Sequence, residues 1–286
     1  ADSVYYWEKA FSVLDEKLSS SGSLDVLDFG CGTGFEAKLL LRSGLKDKCK
    51  TILCYDLSPE MLSVFRESVD PLPAAPEIVF LSRKTELSSI LSEKKFDIIL
   101  TNSILHHIPE PEEAVSFLLG SLRPGGYYIS GHEPNRAFYY NRCTTAVTFI
   151  FRLFKRVYNR LSLTQRKKRK GLNGFVDTVK STNEALLQNG IINKAIPTDL
   201  LLKLIDIHVP SGNSKRQCWG RIGFDKSLYK NSAGKDPVEI TGYYTYSHIK
   251  DPLCNRFFFW RKLKQILACI FPGDGGDFLA VIKKGY

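Results

Sequence analysis

VLDFGCGTG, residues 26–34, decides how this chain is read. Val26, Leu27 and Phe29 surround a single aspartate, Asp28, and glycine then falls at every second position: Gly30, Gly32 and Gly34. The run Asp25 to Phe29 reads as a strand ended by a loop that brings bare backbone close to a ligand. Phe35 to Leu41 reads as the helix that follows. A dinucleotide fingerprint needs G-x-G-x-x-G; here its last position is Phe35, and Gly34 comes one residue early. A triphosphate-binding loop ends Gly-Lys-Ser/Thr, whereas this one ends Gly34-Phe35-Glu36. No lysine is present to neutralise phosphate, and Asp28 and Glu36 flank the loop. Those charges repel a pyrophosphate and suit a ligand with an ammonium group and a positive centre.

Outward from this loop the pattern alternates. TILCY (51–55), Glu77 to Leu81, FDIILT (96–101) and GYYISG (126–131) read as further strands, with helical patterns between them. Ser58 is placed to cap the helix after TILCY, with Pro59 at its first position. Such alternation argues for a parallel sheet covered by helices. Ligands of these sheets bind at the carboxyl ends of the strands, where the strand order reverses. The glycine loop, Asp56, Asn102 and His132 all follow strands at that edge.

The whole chain sets bounds around this reading. Its 286 residues, 43% hydrophobic and 24% charged, suffice for a large core. A net charge of +10 favours anionic partners: RNA, phosphorylated small molecules or an acidic membrane surface. Seven scattered cysteines without a C-x-x-C pair read as reduced thiols of a cytoplasmic protein, not a disulfide frame or a zinc site. The acidic and histidine residues show no metal-ligand spacing, so no metal is expected. No stretch approaches the roughly 18 apolar residues of a membrane span, and no signal peptide is recognised. The chain opens in a helical pattern, so a further N-terminal piece is expected.

LDFGCGTG (27–34) resembles the first motif of class I S-adenosylmethionine-dependent methyltransferases. Asp56 is similar to their acidic ribose-binding position. Residues 102–134 resemble their fourth-strand, helix and fifth-strand block, and GGDFLAVIKKG (275–285) their last strand. The nearest resemblance is to the small-molecule branch that includes the ubiquinone and menaquinone biosynthesis enzymes. It covers about residues 24–135. The resemblance implies an α/β fold: a Rossmann-like, seven-stranded mixed sheet, last strand antiparallel, flanked by helices. It implies a cofactor-binding core over 1–135, a helical insertion or substrate cap over 136–237, and C-terminal strands over 238–286. It implies S-adenosyl-L-methionine as cofactor, with S-adenosyl-L-homocysteine as product. Asp28 is then expected near the cofactor's amino group and Asp56 on the ribose hydroxyls. Gly30, Cys31, Gly32 and Gly34 form the loop whose amides meet the cofactor, and Leu57, Met61 and Asn102 complete the site. One departure stands out. Where the family carries an acidic residue for the adenine amino group, this chain has LSRKTEL, with Arg83 and Lys84 near that place. Glu86 could serve only if the register slips.

Methyl transfer is an in-line displacement, so alignment is essential and a general base is optional. The candidates for chemistry are His106, His107, His132 and Glu133. His106 and His107 follow the fourth strand, and a helix or turn there is expected to point their rings apart. Glu133 is open to two readings: contact with a substrate hydroxyl or amine, or a salt bridge to Arg136 or a capping role. Tyr5, Tyr6 and Trp7 form either a lid over the cofactor or plain packing on the sheet.

The insertion holds a second signal. In FIFRLFKRVYNRL (149–161) Ile150, Leu153, Phe154, Val157 and Leu161 recur at helical spacing between basic residues. QRKKRK follows at 165–170, and FFFWRKLKQILACIF (257–271) is again apolar and basic. Residues 149–170 and 257–271 lie either on an anionic membrane interface or as a cap over the active site. ITGYYTYSHIK (240–250) reads as a strand paired with 278–282, with Tyr243, Tyr244, Tyr246 and His248 as candidates to face the substrate. The expected function is methyl transfer to a small-molecule, hydrophobic or lipid-like acceptor. The alternatives are an RNA methyltransferase, for which no accessory RNA-binding motif is found, and a cofactor-fold binding protein without activity. The oligomeric state and the acceptor atom are not legible.

Overall fold

The computed structural model describes residues 2–18, 23–69, 76–161, 183–184, 187–188, 192–210, 218–235, 238–245, 257–271 and 273–286. Strands β1 (Leu24–Phe29), β2 (Cys49–Tyr55), β3 (Glu77–Leu81), β4 (Phe96–Asn102), β5 (Leu122–Pro134), β6 (Val238–Thr245) and β7 (Asp277–Lys284) form one sheet in the order β3-β2-β1-β4-β5-β7-β6. The pairings among β1 to β5 are parallel, and β7 runs antiparallel to both β5 and β6. The order reverses between β1 and β4, which opens a crevice at their carboxyl ends.

Strand residues alternate between two helical layers because strand side chains have a period of two. Val26, Ile52, Ile98 and Ile129 face a core made with Trp7, Phe11 and Leu14 of α1 (Asp2–Lys17), Leu40 of α2 (Phe35–Leu40) and Phe65 of α3 (Pro59–Val69). Their neighbours Leu27, Leu53, Ile99 and Tyr128 face the other core. Leu87 and Leu91 of α4 (Lys84–Glu93) and Val115 and Leu118 of α5 (Pro111–Gly120) cover that side. Each fully buried side chain of this size contributes about 1.5–3 kcal/mol.

Beyond β5 the chain forms α6 (Arg136–Tyr140), α7 (Arg142–Leu161), α8 (Thr198–Ile205) and α9 (Lys226–Ser232) before β6, and α10 (Phe258–Ile270) before β7. Phe224, Leu228 and Tyr229 join the second core, so the core takes up residues from within the stretch expected as insertion. A separate small cluster joins Phe151 and Phe154 of α7 to Trp260 of α10. QRKKRK, Tyr246 and His248 lie outside the described residues, as do the side chains of Tyr243 and Tyr244.

The fifth strand runs longer than its apolar stretch suggests. Its pairing with β7 is interrupted between Ser130 and Glu133 and then resumes, with Glu133 opposite Phe278. His132 sits in the interruption with φ +58°. His132 and Glu133, expected after the strand, are therefore part of it, and the irregularity re-aims their side chains.

Candidate active site

The glycine loop closes on itself. Gly30 and Cys31 N–H both donate to the Tyr55 carbonyl (2.8 and 3.0 Å), Gly32 N–H donates to Asp56 Oδ2 (2.8 Å) and Gly34 N–H to the Cys31 carbonyl (2.7 Å). All four amides are bonded within the protein, and these bonds set the loop's shape. Gly30 has φ +76°, and a Cβ there would stand 2.3 Å from Ile104 Cδ1. At Gly34, φ +79°, it would stand 2.2 Å from the Phe65 ring. Close backbone approach and a left-handed turn both require glycine at these two positions.

Two carboxylates lie beneath the loop. Asp28 is wholly buried, and neither oxygen has a hydrogen-bond partner among the described residues. Burial pushes its pKa up to about 7; the nearby Ala37 amide pulls the other way, and the charge of Asp56 adds to the rise. Glu36 is also buried, and burial together with the charge of Asp28 holds its carboxyl well above the usual range. A buried polar atom without a partner costs about 1–3 kcal/mol, and more when charged. A ligand ammonium would satisfy Asp28, so this orphaned carboxyl fits an S-adenosylmethionine amino group. Cys31 is buried within hydrogen-bonding reach of the Cys54 thiol and does not line the cavity described next.

Asp56 lines a cavity of about 560 Å³ at the carboxyl ends of β1, β2 and β4. Its Oδ1 accepts Ser58 N–H (2.9 Å), which leaves each oxygen a second lone pair for a ribose hydroxyl. Ser58 caps α3 as expected, its hydroxyl accepting Met61 N–H (3.2 Å). Gly30 and Leu57 line the cavity, whereas Met61 is exposed on α3 away from it. The remaining wall was not foreseen: Phe29 and Tyr55, with ring centroids 5.3 Å apart, and Leu87, Ser88, Ile104, Ile108, Ala114 and Phe117. Lys84 also lines it, as its position suggested, while Arg83 turns to Glu86 (3.2 Å). Glu86 does not line the cavity.

Asn102 accepts the Trp7 indole N–H on Oδ1 (3.2 Å), tying α1 to the end of β4. Trp7 is buried and Tyr5 exposed, so packing, not a lid, describes Trp7. Glu133, fully buried, accepts N–H from Ile104 and Leu105 (both 2.9 Å) and His106 (3.3 Å), and the His106 ring at Nδ1 (2.9 Å). It is thus a capping residue for the 3₁₀ turn Leu105–His107, and Arg136 pairs with Asp225 (3.1 Å) instead. Burial lowers the His106 pKa, but Glu133, Asp206 and Asp277 outweigh it, and the net shift is upward. The two histidine rings were expected to diverge. They lie 4.1 Å apart and converge on Asp206, with His106 Nε2 3.9 Å and His107 Nδ1 3.4 Å from its Oδ1. A tight 3₁₀ turn and the arrival of Asp206 just after α8 cause this, and sequence spacing could not show it. His132 instead pairs with Asp277 of β7 (3.5 Å).

On α7, Phe151 is buried, but Phe149, Ile150, Leu153 and Val157 are exposed, as are Phe258, Phe259, Ile266 and Ile270 of α10. Among the described residues no helix is long and apolar enough to cross a membrane.

Residues 27–130 match the family model described as a methyltransferase domain. Over 106 residues, 36% of this chain, the protein is 32% identical to a malonyl-[acyl-carrier protein] O-methyltransferase of Halalkalibacterium halodurans. Over 102 residues, again 36% of the chain, it is 26% identical to a ubiquinone biosynthesis O-methyltransferase of Serratia proteamaculans. The chain spans only 37% and 39% of the lengths of these relatives. Among solved structures, the N-methyltransferase NodS of Bradyrhizobium japonicum WM9 overlays 98% of this chain and 94% of its own, at 11% identity and a TM-score of 0.45, too loose to carry an argument. Family match, strand order and the loop–aspartate geometry agree: residues 27–130 are a methyltransferase domain of the class I, S-adenosylmethionine-dependent type.

Proposed function

We propose that this protein transfers a methyl group from S-adenosylmethionine to an oxygen of a hydrophobic or lipid-like small molecule. The observation that carries the cofactor reading is the pair Asp28 and Asp56, one buried without a partner and one lining the cavity beside the glycine loop. Asp28 holds the amino group, Asp56 the ribose hydroxyls, and Leu57 and Ile104 flank the adenine. S-adenosylmethionine, when bound, supplies a methyl group on a positively charged sulfur. The protein's part is to align an acceptor with it and exclude water. Oxygen is favoured as the acceptor atom because both relatives above are named as O-methyltransferases.

The exposed apolar stripes of α7 and α10 support a hydrophobic acceptor. Contiguous exposed apolar surface marks a membrane, partner or ligand face. The chain's charge of +10 favours an anionic bilayer as the place where such an acceptor is met.

The test uses S-adenosylmethionine labelled in its methyl group, purified protein and an extract of the source cells. Products are partitioned between organic solvent and water. Enzyme-dependent label in the organic phase is the expected result. Label confined to the water phase refutes the lipid-like acceptor, and label that disappears after nuclease treatment points to RNA.

A further inference from the structure

We infer that His106, His107 and Asp206 form a binding site for one divalent transition-metal ion of the Zn²⁺ type, joining the insertion to the core. A histidine nitrogen from each ring and an Asp206 carboxylate oxygen lie within 4.8 Å of one another. Ligand atoms around a tetrahedral zinc with bonds of about 2.0–2.1 Å are about 3.3 Å apart. The pairs on Asp206 Oδ1 stand at 3.4 and 3.9 Å, so a small inward movement closes the set. His107 Nδ1 also lies 2.8 Å from the Ile205 carbonyl, to which its N–H donates, so binding the ion costs that ring its proton and this hydrogen bond. Two imidazoles and one carboxylate suit zinc or a neighbouring first-row ion and not Mg²⁺ or Ca²⁺, which take oxygen ligands.

A second, independent observation points the same way. His106 gives its Nδ1 to Glu133 (2.9 Å), which is buried and held by three main-chain amides. That fixes the ring and presents Nε2 toward Asp206. A carboxylate behind a histidine is the usual outer support of a metal ligand. The insertion is already seated here by His208, whose Nε2 lies 2.9 Å from the Ile108 carbonyl. The ion adds a bond across the same seam.

The position also suggests a use, which rests on the methyl-transfer reading. Ile104 and Ile108, which bracket the two histidines in the chain, line the cofactor cavity. Three protein ligands leave a coordination position for an acceptor hydroxyl. Coordination would lower the hydroxyl's pKa, so that its proton passes to solvent and the oxygen bonds the methyl carbon as the carbon–sulfur bond breaks and S-adenosylhomocysteine leaves.

The test begins with full-length protein freed of metal by chelator and titrated with Co²⁺, then Zn²⁺. One equivalent of Co²⁺ is expected to give visible bands of nitrogen–oxygen coordination that Zn²⁺ abolishes. Asp206→Asn, at a part-exposed position, and His107→Gln are each expected to weaken binding at least tenfold, since even outer-shell losses cost about 10–100-fold. Circular dichroism checks that both variants are folded. No saturable binding, or wild-type affinity retained in both variants, overturns the site; a thiolate charge-transfer band would place the ion on cysteine. Labelled-methyl transfer is then measured with and without chelator. Transfer that persists unchanged without metal overturns the role in acceptor activation. A metal-loaded protein that binds Co²⁺ as expected yet transfers no methyl tells against the methyl-transfer reading and leaves the site standing.

Discussion

Replacing Asp28 by Asn separates the demands of folding from those of ligand binding. Asn mimics the neutral acid in shape and removes its charge. In the unfolded chain the carboxyl ionises near 3.8; in the folded protein burial raises this to about 7. A raised carboxyl pKa means the folded state holds its proton longer, so this group's contribution to stability is fully present below pH 3.8 and is lost as pH rises through about 7. Between pH 5 and 8 the unfolded carboxyl is already ionised, and the folded one resists for about two units. At about 1.4 kcal/mol per unit, the wild type should lose about 3 kcal/mol relative to Asp28→Asn over that interval. Glu36 acts in the same direction, and because the charge of Asp28 helps to raise it, the difference reports Asp28 together with that coupling. Urea denaturation of the cofactor-free proteins at pH 5, 6, 7 and 8 reads the difference. Calorimetry with S-adenosylhomocysteine reads the other half: wild-type affinity should rise with pH through 7 as the carboxylate forms, and Asp28→Asn should bind more weakly and lose that rise. A variant no more stable than wild type at pH 8, with unchanged affinity, would refute both the buried orphan carboxyl and its pairing with the ammonium.

Asp56→Ala should weaken S-adenosylmethionine binding by about ten- to a hundredfold, since charge-assisted hydrogen bonds contribute about 1.5–3 kcal/mol; loss of the Gly32 N–H partner pushes the effect toward the upper end, and unchanged affinity by calorimetry would remove Asp56 from the site. Glu133→Ala strands three amides and the His106 ring, and should destabilise the fold by about 3–5 kcal/mol in urea denaturation; a loss under 1 kcal/mol contradicts the capping role. Leu153→Glu and Phe259→Glu alter exposed positions, so stability should move by only about 0.5 kcal/mol. Sedimentation with anionic vesicles should show each cutting binding about tenfold or more, because one such side chain buried in lipid contributes about 1.5–3 kcal/mol; equal binding by wild type and variants argues for a cap instead.

The strands were legible because each holds a short apolar core, such as ILCY at 52–55, IVFL at 78–81 and IIL at 98–100. Glu77–Leu81 is observed with the limits its residues suggest. The cofactor loop was legible because its glycine spacing is forced by left-handed turns that few residues tolerate. What sequence could not show depends on residues far apart in the chain. Asp206 meets His106 and His107 across about 100 positions, and only the seating of α8 beside the 3₁₀ turn brings them together. A capping role for Glu133 was one of its two readings, but the sequence could not name its partners, because they are amides, which every residue possesses. The cavity wall draws Lys84, Leu87 and Ser88 from α4, whose apolar pattern speaks only of its buried face. On α7 the helical stripe was read correctly as amphipathic, yet the buried contact is made by Phe151 and Phe154 while Ile150, Leu153 and Val157 remain outside.

The place of β7 between β5 and β6 bears on how the protein is made. β5 is synthesised more than 100 residues before β7, and β6 about 30 residues before it. Until β7 emerges, β6 has no neighbour in the sheet and the main-chain groups along one side of β5 have no strand to meet. A nascent chain therefore carries two open edges at once, each a template for pairing with another copy. Assembly waits on contacts distant in sequence, which slows folding. Expression yield should accordingly respond to translation rate and to chaperone supply, and a substitution that weakens β7 should show itself first as aggregation during synthesis, before any loss of activity in the folded fraction.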